Sequence, residues 1–247
     1  MNASVYAEHA FSKDFKGWLE AAYYNYEETT DQAFDGYDER QHPLMIYQSA
    51  QKLKVDGVTF SNDYSMALDN AGKMKLDFGI QGHYAHLSNS RSNELIHPGV
   101  AAPQQNDKIV LKEVNLNPYV SATLRPTDKL QFRLGAKLAH SNRKVDGEAV
   151  EDHKLSYNRF LPDFIAWWGP CPASRFVFAI NSGNTDPKFD LINPFIWRIN
   201  QNSFHRGNLG LKSESFYSYK LIYTYKGNFS VTAYVNQQYF GKFLPKN

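Results

Sequence analysis

The chain has 247 residues, with 27 lysine and arginine residues against 25 aspartate and glutamate residues and a mean hydropathy of −0.55. This near balance of charge argues against nucleic-acid binding, which requires a concentrated basic surface. The densest apolar stretches, at 164–168 and 176–180, are far shorter than the roughly 18 residues that a transmembrane helix needs. A membrane-spanning β-barrel is not excluded, because only alternate residues of its strands face lipid.

Alternation of apolar and polar residues with a period of two runs through most of the chain and predicts β-strands. Between 73 and 87, for example, Met74, Leu76 and Phe78 alternate with Lys75 and Asp77. No segment of comparable strength has the helical period. The predicted strands, in chain order, are Ser4–Phe11, Gly17–Thr29, Val55–Leu68, Lys73–Ser88, Lys108–Leu124, Lys129–Val145, His153–Trp168, Ser174–Ser182, Leu211–Lys226 and Asn228–Phe240.

Short and long connections alternate between these strands. The short ones are rich in Gly, Pro, Asn and Asp, as in tight hairpin turns. The long ones are predicted at Thr30–Lys54, Asn89–Asp107, Asp146–Asp152 and Gly183–Gly210. Long strands with short turns at one end and long loops at the other are typical of outer-membrane β-barrels.

A barrel in lipid requires that the two faces of each strand differ. The residues predicted to face outward are Met74, Leu76, Phe78, Ile80, Leu130, Phe132, Leu134, Val231 and Val235. The residues predicted to face the interior are Lys75, Asp77, Gln81, Gln131, Arg133 and Lys137. Trp167, Trp168 and the tyrosines at 217, 219, 223 and 225 are predicted to form an aromatic girdle at the lipid interface.

Two further segments resemble a known family. Residues 191–195 (LINPF) and 207–214 (GNLGLKSE) resemble the LNPF and GNPxLKPE signatures of TonB-dependent receptors and the outer-membrane β-barrels related to them. In those proteins the stretch is an external loop that leads into a descending strand. The positions that carry the resemblance, with a structural role, are Asn193, Pro194, Phe195, Gly207, Asn208, Leu211, Lys212 and Glu214.

The resemblance implies an all-β fold, an antiparallel up-and-down meander of about ten long strands that is either open or a small closed barrel. Residues 1–247 are then expected to be a C-terminal fragment of an outer-membrane β-barrel, without a plug domain or a signal peptide. The implied location is the outer membrane of a Gram-negative type of cell. The implied function is energised uptake of a scarce solute, such as a siderophore or an oligosaccharide. The implied partners are outer-membrane lipid, the small solute and, through a plug domain absent from this chain, the TonB system.

Binding residues concentrate in loops held by a rigid scaffold, so the connection Gly183–Gly210 is the predicted substrate-contacting segment. Its aromatic rings and guanidinium groups suit a ring-bearing or anionic solute, although the same aromatic side chains could instead pack loops against each other. The candidate substrate contacts are Phe195, Trp197, Arg198, Phe204, His205 and Arg206.

The sequence predicts no catalytic residue, no cofactor and no metal site. The closest histidines, His83 and His86, are three apart on a predicted strand and therefore point to opposite faces. No nucleophile or phosphate-binding motif is present. A soluble all-β carbohydrate-binding module and a porin without a plug stay open as alternatives to the receptor.

Overall fold

The computed structural model describes residues 2–37, 40, 43–96, 105–147, 150–198 and 203–239. These ranges contain twelve strands and one short helix. The strands are β1 Asn2–Ala10, β2 Phe15–Tyr37, β3 Pro43–Ala67, β4 Met74–Ile96, β5 Gln105–Thr127, β6 Leu130–Gly147, β7 Val150–Cys171, β8 Ser174–Thr185, β9 Ile196–Arg198, β10 Phe204–Arg206, β11 Glu214–Tyr225 and β12 Phe229–Tyr239, and the helix α1 is Phe189–Ile192. Within the described ranges, no helix has the length and apolar character needed to cross a bilayer.

Ten strands form one antiparallel meander in the order β1-β2-β3-β4-β5-β6-β7-β8-β11-β12. This confirms the predicted fold class and strand number. Among the described residues no pairing joins β1 to β12, so the sheet is open at these two strands. The remaining strands, β9 and β10, form a separate two-stranded hairpin in the connection between β8 and β11.

The two faces of the sheet differ, as predicted. Residues paired directly across antiparallel strands share a face, and Met74 pairs with Leu124, which pairs with Phe132. On the opposite face, Lys75 pairs with Thr123 and Thr123 with Arg133. The same register continues to the other strands and places all nine predicted outward residues on the face of Met74. That outer face is open to its surroundings, and its side chains include Leu134, Phe160 and Val235, which are 62%, 63% and 64% exposed.

Aromatic rings gather on the outer face near the short turns. Trp168 stacks on Phe176, and Phe176 lies 4.7 Å from Tyr223 between ring centroids. The prediction for Trp167 was wrong, because it pairs with Gln131 and therefore lies on the inner face. Neighbouring strand residues alternate between faces, so Trp167 and Trp168 cannot both face lipid.

The strands are much longer than the sequence predicts. The predicted connections Thr30–Lys54, Asn89–Asp107 and Asp146–Asp152 are largely strand, since β2 continues to Tyr37, β4 to Ile96 and β6 to Gly147. These extensions lie beyond the apolar belt, where neither face meets lipid and the regular alternation that marks a membrane strand disappears. Only the predicted connection Gly183–Gly210 is mainly non-strand, and it contains the one-turn helix α1.

Candidate functional site

The described part of the connection between β8 and β11, residues 186–198 and 203–213, folds back onto the inner face of the sheet, and we call it the capping segment. Its Ile192 and Phe195 side chains are 3% and 5% exposed. Ile192 and Phe195 belong to a buried apolar cluster that includes residues of the sheet. The sheet contributes Val55, Leu87, Ile109, Leu111 and Val145.

A compact turn around Asn193 shapes the capping segment. The backbone N–H of Asn193 donates to the Phe189 carbonyl at 2.8 Å and closes α1. The side-chain Oδ1 of Asn193 accepts from the Phe195 N–H at 3.1 Å, while its carbonyl accepts from the Gly207 N–H at 2.8 Å. A Cβ at Gly207 would lie only 2.5 Å from that carbonyl oxygen, so the close approach requires glycine.

Arg91, on β4, joins the sheet to the capping segment. Its Nη2 atom lies 2.8 Å from Oδ2 of Asp107 on β5, and both side chains are buried. Its Nη1 atom donates to the carbonyl of Ile196. The guanidinium thus neutralises a buried carboxylate and satisfies a carbonyl of the capping segment at the same time.

Two more arginines on the inner face contact the capping segment in the same way. Arg143 is 1% exposed, donates from Nε to Glu113 at 2.9 Å and from Nη1 to the Leu211 carbonyl at 3.2 Å. Arg159 donates from Nη2 to the carbonyl of Ser213. Guanidinium groups from β4, β6 and β7 therefore hold three backbone carbonyls, one at the start of β9 and two just before β11.

A hydrogen-bond network fills the place where β7 and β8 separate. Their ladder begins at Phe164 and Ile180 and leaves Pro162, which has no N–H to donate, outside it. Beyond this point the Ser213 hydroxyl lies within hydrogen-bond distance of both the Tyr157 hydroxyl and an Asp186 carboxylate oxygen. The end of the capping segment thus replaces the missing strand pairing.

A cavity of about 440 Å³ lies between the capping segment and the inner face of β2 and β3. The sheet lines it with Glu28, Thr30, Gln51 and Leu53, and the capping segment lines it with Phe189, Asp190, Asn193, Phe195 and His205. Two carboxylates, two amides, a hydroxyl and an imidazole therefore surround two aromatic rings. The aromatic rings of this lining can contact a ring of a solute, and its polar groups can bind hydrogen-bond donors of the same solute.

The predicted substrate contacts occupy different positions in this arrangement. Phe195 and His205 line the cavity, and His205 Nε2 lies 3.3 Å from the Asp190 carbonyl. Phe204 is 65% exposed and is not among the lining residues. Arg206 donates from Nε to the Pro194 carbonyl at 3.1 Å and so stabilises the turn. Trp197 and Arg198 lie in β9, and their side chains lie outside the described part of the structure.

The residues of the family signature hold the capping segment in place. Besides Asn193 and Gly207, Asn208 accepts a hydrogen bond from the Gly210 N–H at 2.8 Å through its Oδ1. Leu211 packs against the buried cluster. Pro194 is buried, whereas Lys212 and Glu214 are exposed.

Sequence reasoning missed the sheet side of the cavity, Glu28, Thr30, Gln51 and Leu53. The last three fall within the predicted connection Thr30–Lys54, and Glu28 lies at the end of the predicted strand Gly17–Thr29, yet β2 and β3 continue through all four. Register pairs Glu28 with Leu53 and Thr30 with Gln51, which places them on one face. The sequence does contain a signal for this region. Leu53 and Val55 are apolar, although they lie at inward positions of β3, where a membrane strand normally carries polar side chains.

Within the described residues, no group of three or more His, Cys, Asp or Glu side chains is placed to hold a metal ion. Three inner arginines, Arg91, Arg143 and Arg159, donate to carboxylates or backbone carbonyls.

Comparison with solved structures supports the fold. The ferric-catecholate import receptor Fiu from E. coli has a TM-score of 0.63 at 9% identity, over 96% of this chain and 40% of that chain. The ferric yersiniabactin uptake receptor FyuA from Yersinia pestis has a TM-score of 0.61 at 12% identity, over 95% of this chain and 34% of that chain. The siderophore receptor PiuA from Acinetobacter baumannii has a TM-score of 0.58 at 9% identity, over 95% of this chain and 39% of that chain.

The chain thus spans 34% to 40% of the length of these three receptors. A search of the curated proteins finds no match to the sequence. The resemblance to TonB-dependent receptor barrels, predicted from 191–195 and 207–214, is confirmed at the level of the fold. A sequence model of the outer membrane protein beta-barrel family matches residues 10–240. The chain therefore belongs to the outer membrane protein beta-barrel family and has its place in the outer membrane of Gram-negative cells.

Proposed function

We propose that this chain is part of the barrel of a TonB-dependent receptor that takes up a scarce solute, and that the capping segment contributes solute contacts from within the barrel. One observation carries the proposal: the capping segment is fixed on the inner face and leaves a cavity of about 440 Å³ beneath it. The similar structures include receptors for ferric complexes, which supports a solute of that kind. Energy coupling would act through a plug domain and the TonB system.

The cavity lining favours a ring-bearing solute that donates hydrogen bonds. Phe189 and Phe195 offer aromatic faces, while the Glu28 and Asp190 carboxylates accept hydrogen bonds. The sequence also suggested an anionic solute, but Arg206 is bound to the carbonyl of Pro194 and does not line this cavity. Recognition of an anion would therefore have to use other groups.

The outer face supports the receptor over a soluble carbohydrate-binding module. A soluble protein would have to bury side chains such as Leu134 and Phe160, which are 62% and 63% exposed. The capping segment supports the receptor over a plugless porin. It covers the inner face with a buried apolar cluster, whereas a porin keeps a polar, water-filled lumen.

Two neighbouring threonines on β2 provide a matched test. Thr30 lines the cavity, and Thr29 pairs with Lys52 on the outer face. In the full-length receptor, Thr30→Trp should fill the cavity and lower cell-surface binding and uptake of the solute at least tenfold, whereas Thr29→Trp should leave both unchanged. The first probe is a labelled malto-oligosaccharide, whose sugar rings carry the hydrogen-bond donors that the lining favours. The second is a radiolabelled ferric-catecholate complex, an anion that tests the alternative of a charged ferric solute. Deletion of Trp197–Arg206 should have the same effect as Thr30→Trp.

Surface quantification and heat-modifiable migration must show that each variant assembles. Unchanged uptake in both Thr30→Trp and the deletion variant would remove the cavity from the mechanism. Absence of saturable uptake of either probe by the unmodified receptor would contradict these two solute classes.

A further inference from the structure

A row of basic side chains crosses the outer face of the sheet. Register places His86 opposite Lys112, Lys112 opposite Lys144, and Lys144 opposite Lys154 on four neighbouring strands. Directly paired residues share a face and lie side by side. We call Lys112, Lys144 and Lys154 the lysine row. All three side chains are exposed.

The lysine row lies on the face that meets lipid. Lys112 lies an even number of residues from Val114, Val120 and Leu124 along β5 and therefore shares their face of the strand. These three residues are 37%, 47% and 40% exposed on the outer face. Lys154 likewise has the phase of Phe160 in β7. The row therefore does not point toward the capping segment or the cavity.

On β5 the lysine row lies directly at the edge of the apolar belt, whereas on β6 and β7 two polar outward residues separate Lys144 and Lys154 from the last apolar ones, Leu138 and Phe160. On β5 the apolar outward residues run from Leu124 to Val114, which for a tilted strand corresponds to about 25 Å along the bilayer normal. Lys112 is the next outward residue. It follows at the end of the sheet opposite the short turns, where the longer connections of outer-membrane barrels face the outside. This depth is that of lipid headgroups in the outer leaflet.

The charge of the row is only partly neutralised within the described residues. Lys144 lies 2.7 Å from Asp146, but no carboxylate is within ion-pair distance of Lys112 or Lys154 in the described part of the chain. Asp146 is the next outward-facing residue after Lys144 on β6, and it lies farther from the apolar belt than Lys144 does. By contrast, Lys52 and Lys54, also on the outer face, both pair with Glu27.

Like charges directly opposite each other on neighbouring strands destabilise a sheet. The lysine row has two such pairs, Lys112 with Lys144 and Lys144 with Lys154. An anion placed between the ammonium groups would remove this repulsion. Phosphate groups attached to a membrane lipid lie at the required depth and have the required charge.

We propose that the lysine row is a binding site for the phosphate groups of a phosphorylated lipid in the outer leaflet. The acyl chains of that lipid lie along the apolar belt below, next to Val114 and Phe160. The site anchors and orients this part of the barrel in the membrane. It does not depend on the solute or on the proposed receptor function.

The test uses the protein in neutral detergent and lipid A, a phosphorylated glycolipid, as the probe. The triple variant Lys112→Gln, Lys144→Gln, Lys154→Gln should bind lipid A about a hundredfold more weakly, since each lysine near an anionic surface contributes roughly a factor of five. The triple arginine variant should retain binding. A control variant, Lys16→Gln, Lys75→Gln, Lys137→Gln, removes the same charge from the inner face and should bind normally.

Three results would overturn the proposal once heat-modifiable migration shows that the variants are folded. They are unchanged binding by the lysine-row glutamine variant, an equal loss in the inner-face control, and equal binding of lipid A from which the phosphates have been removed. Displacement of lipid A by inorganic phosphate at similar concentrations would assign the row to soluble anions instead and also contradict the lipid assignment.

Discussion

The guanidinium of Arg91 lies over the ring of Phe195, with 4.7 Å between its Cζ atom and the ring centroid. The same guanidinium pairs with Asp107, so the ring of the capping segment rests on an ion pair that belongs to the sheet. A cation in contact with the face of an aromatic ring contributes more when both are removed from water. This contact makes Phe195 the residue whose loss should free the capping segment most directly.

Phe195→Ala should destabilise the docked position of the capping segment by about 3–5 kcal/mol, the usual cost of removing a buried phenylalanine ring. Limited trypsin digestion of the detergent-solubilised protein should then cut after Lys188 or Arg206, while the strands stay intact. Phe204→Ala is the matched control, because Phe204 is 65% exposed. Equal protection of both variants would show that docking does not depend on Phe195.

Arg143→Ala should destabilise the protein by about 3–5 kcal/mol, because it leaves the Glu113 carboxylate without its partner in a buried site. The double variant Arg143→Met, Glu113→Gln should recover much of this loss, since no unpaired charge then remains. Denaturant unfolding in lipid vesicles, followed by tryptophan fluorescence, measures both. A double variant less stable than the single one would contradict the argument from charge.

Phe132 and Arg133 test the facing of the strands. Phe132→Arg should cost about 1 kcal/mol through the lipid-facing charge near the interface and impair assembly further by removing the stack of Phe132 on Phe164, whose ring centroids are 6.2 Å apart on the outer face. Arg133→Ala should be mild, because Arg133 lies on the inner face. Heat-modifiable migration and the amount in the outer membrane are the measurements. Similar effects at these two neighbours would disprove the facing.

Cys171 tests the orientation of the sheet in the membrane. It is exposed at the turn between β7 and β8, where the N–H of Ala173 and the hydroxyl of Ser174 hydrogen-bond to the sulfur and lower the pKa of the thiol. The lower pKa increases the thiolate fraction at neutral pH, so alkylation should already be fast there and should level off below the pH typical of a free cysteine.

A membrane-impermeant maleimide should therefore label Cys171 only after the outer membrane is permeabilised. The variant Lys52→Cys in a Cys171→Ser background, at the other end of the sheet, should be labelled in intact cells. The reverse pattern would mean that the short turns face the outside.

The sequence was sufficient for the membrane part of the fold because lipid imposes a pattern on it. Residues such as Leu76, Asp77 and Phe78 alternate between an apolar outer surface and a polar inner one, and this alternation predicts both strand and facing. Beyond the apolar belt neither face meets lipid, so the extensions of β2 and β4 lack the signal and were taken for loops.

The candidate site was predictable only in part. The predicted connection Gly183–Gly210 is irregular from residue 186 onward in its described part, because β8 continues to Thr185, and His205 and Phe195 in it line the cavity. Its partner on the sheet depends on contacts between distant residues, such as Arg143 with the Leu211 carbonyl, which no local pattern encodes. The available clue was that Val55, Leu87 and Val145 are apolar although they lie at inward positions, which indicates that another segment covers the inner face.

The long hairpins have a consequence for how this barrel can vary. β2 and β3 stay in one continuous register from Phe15–Met66 to Gly36–Met45, so their residues alternate between the two faces over this length. Inserting one residue within such a strand would exchange its two faces from that point on, and would move Thr30 out of the cavity. Changes of length in these walls should therefore be tolerated in steps of two residues, or at the hairpin tips, which makes the tips the places to insert an epitope or a fluorescent tag.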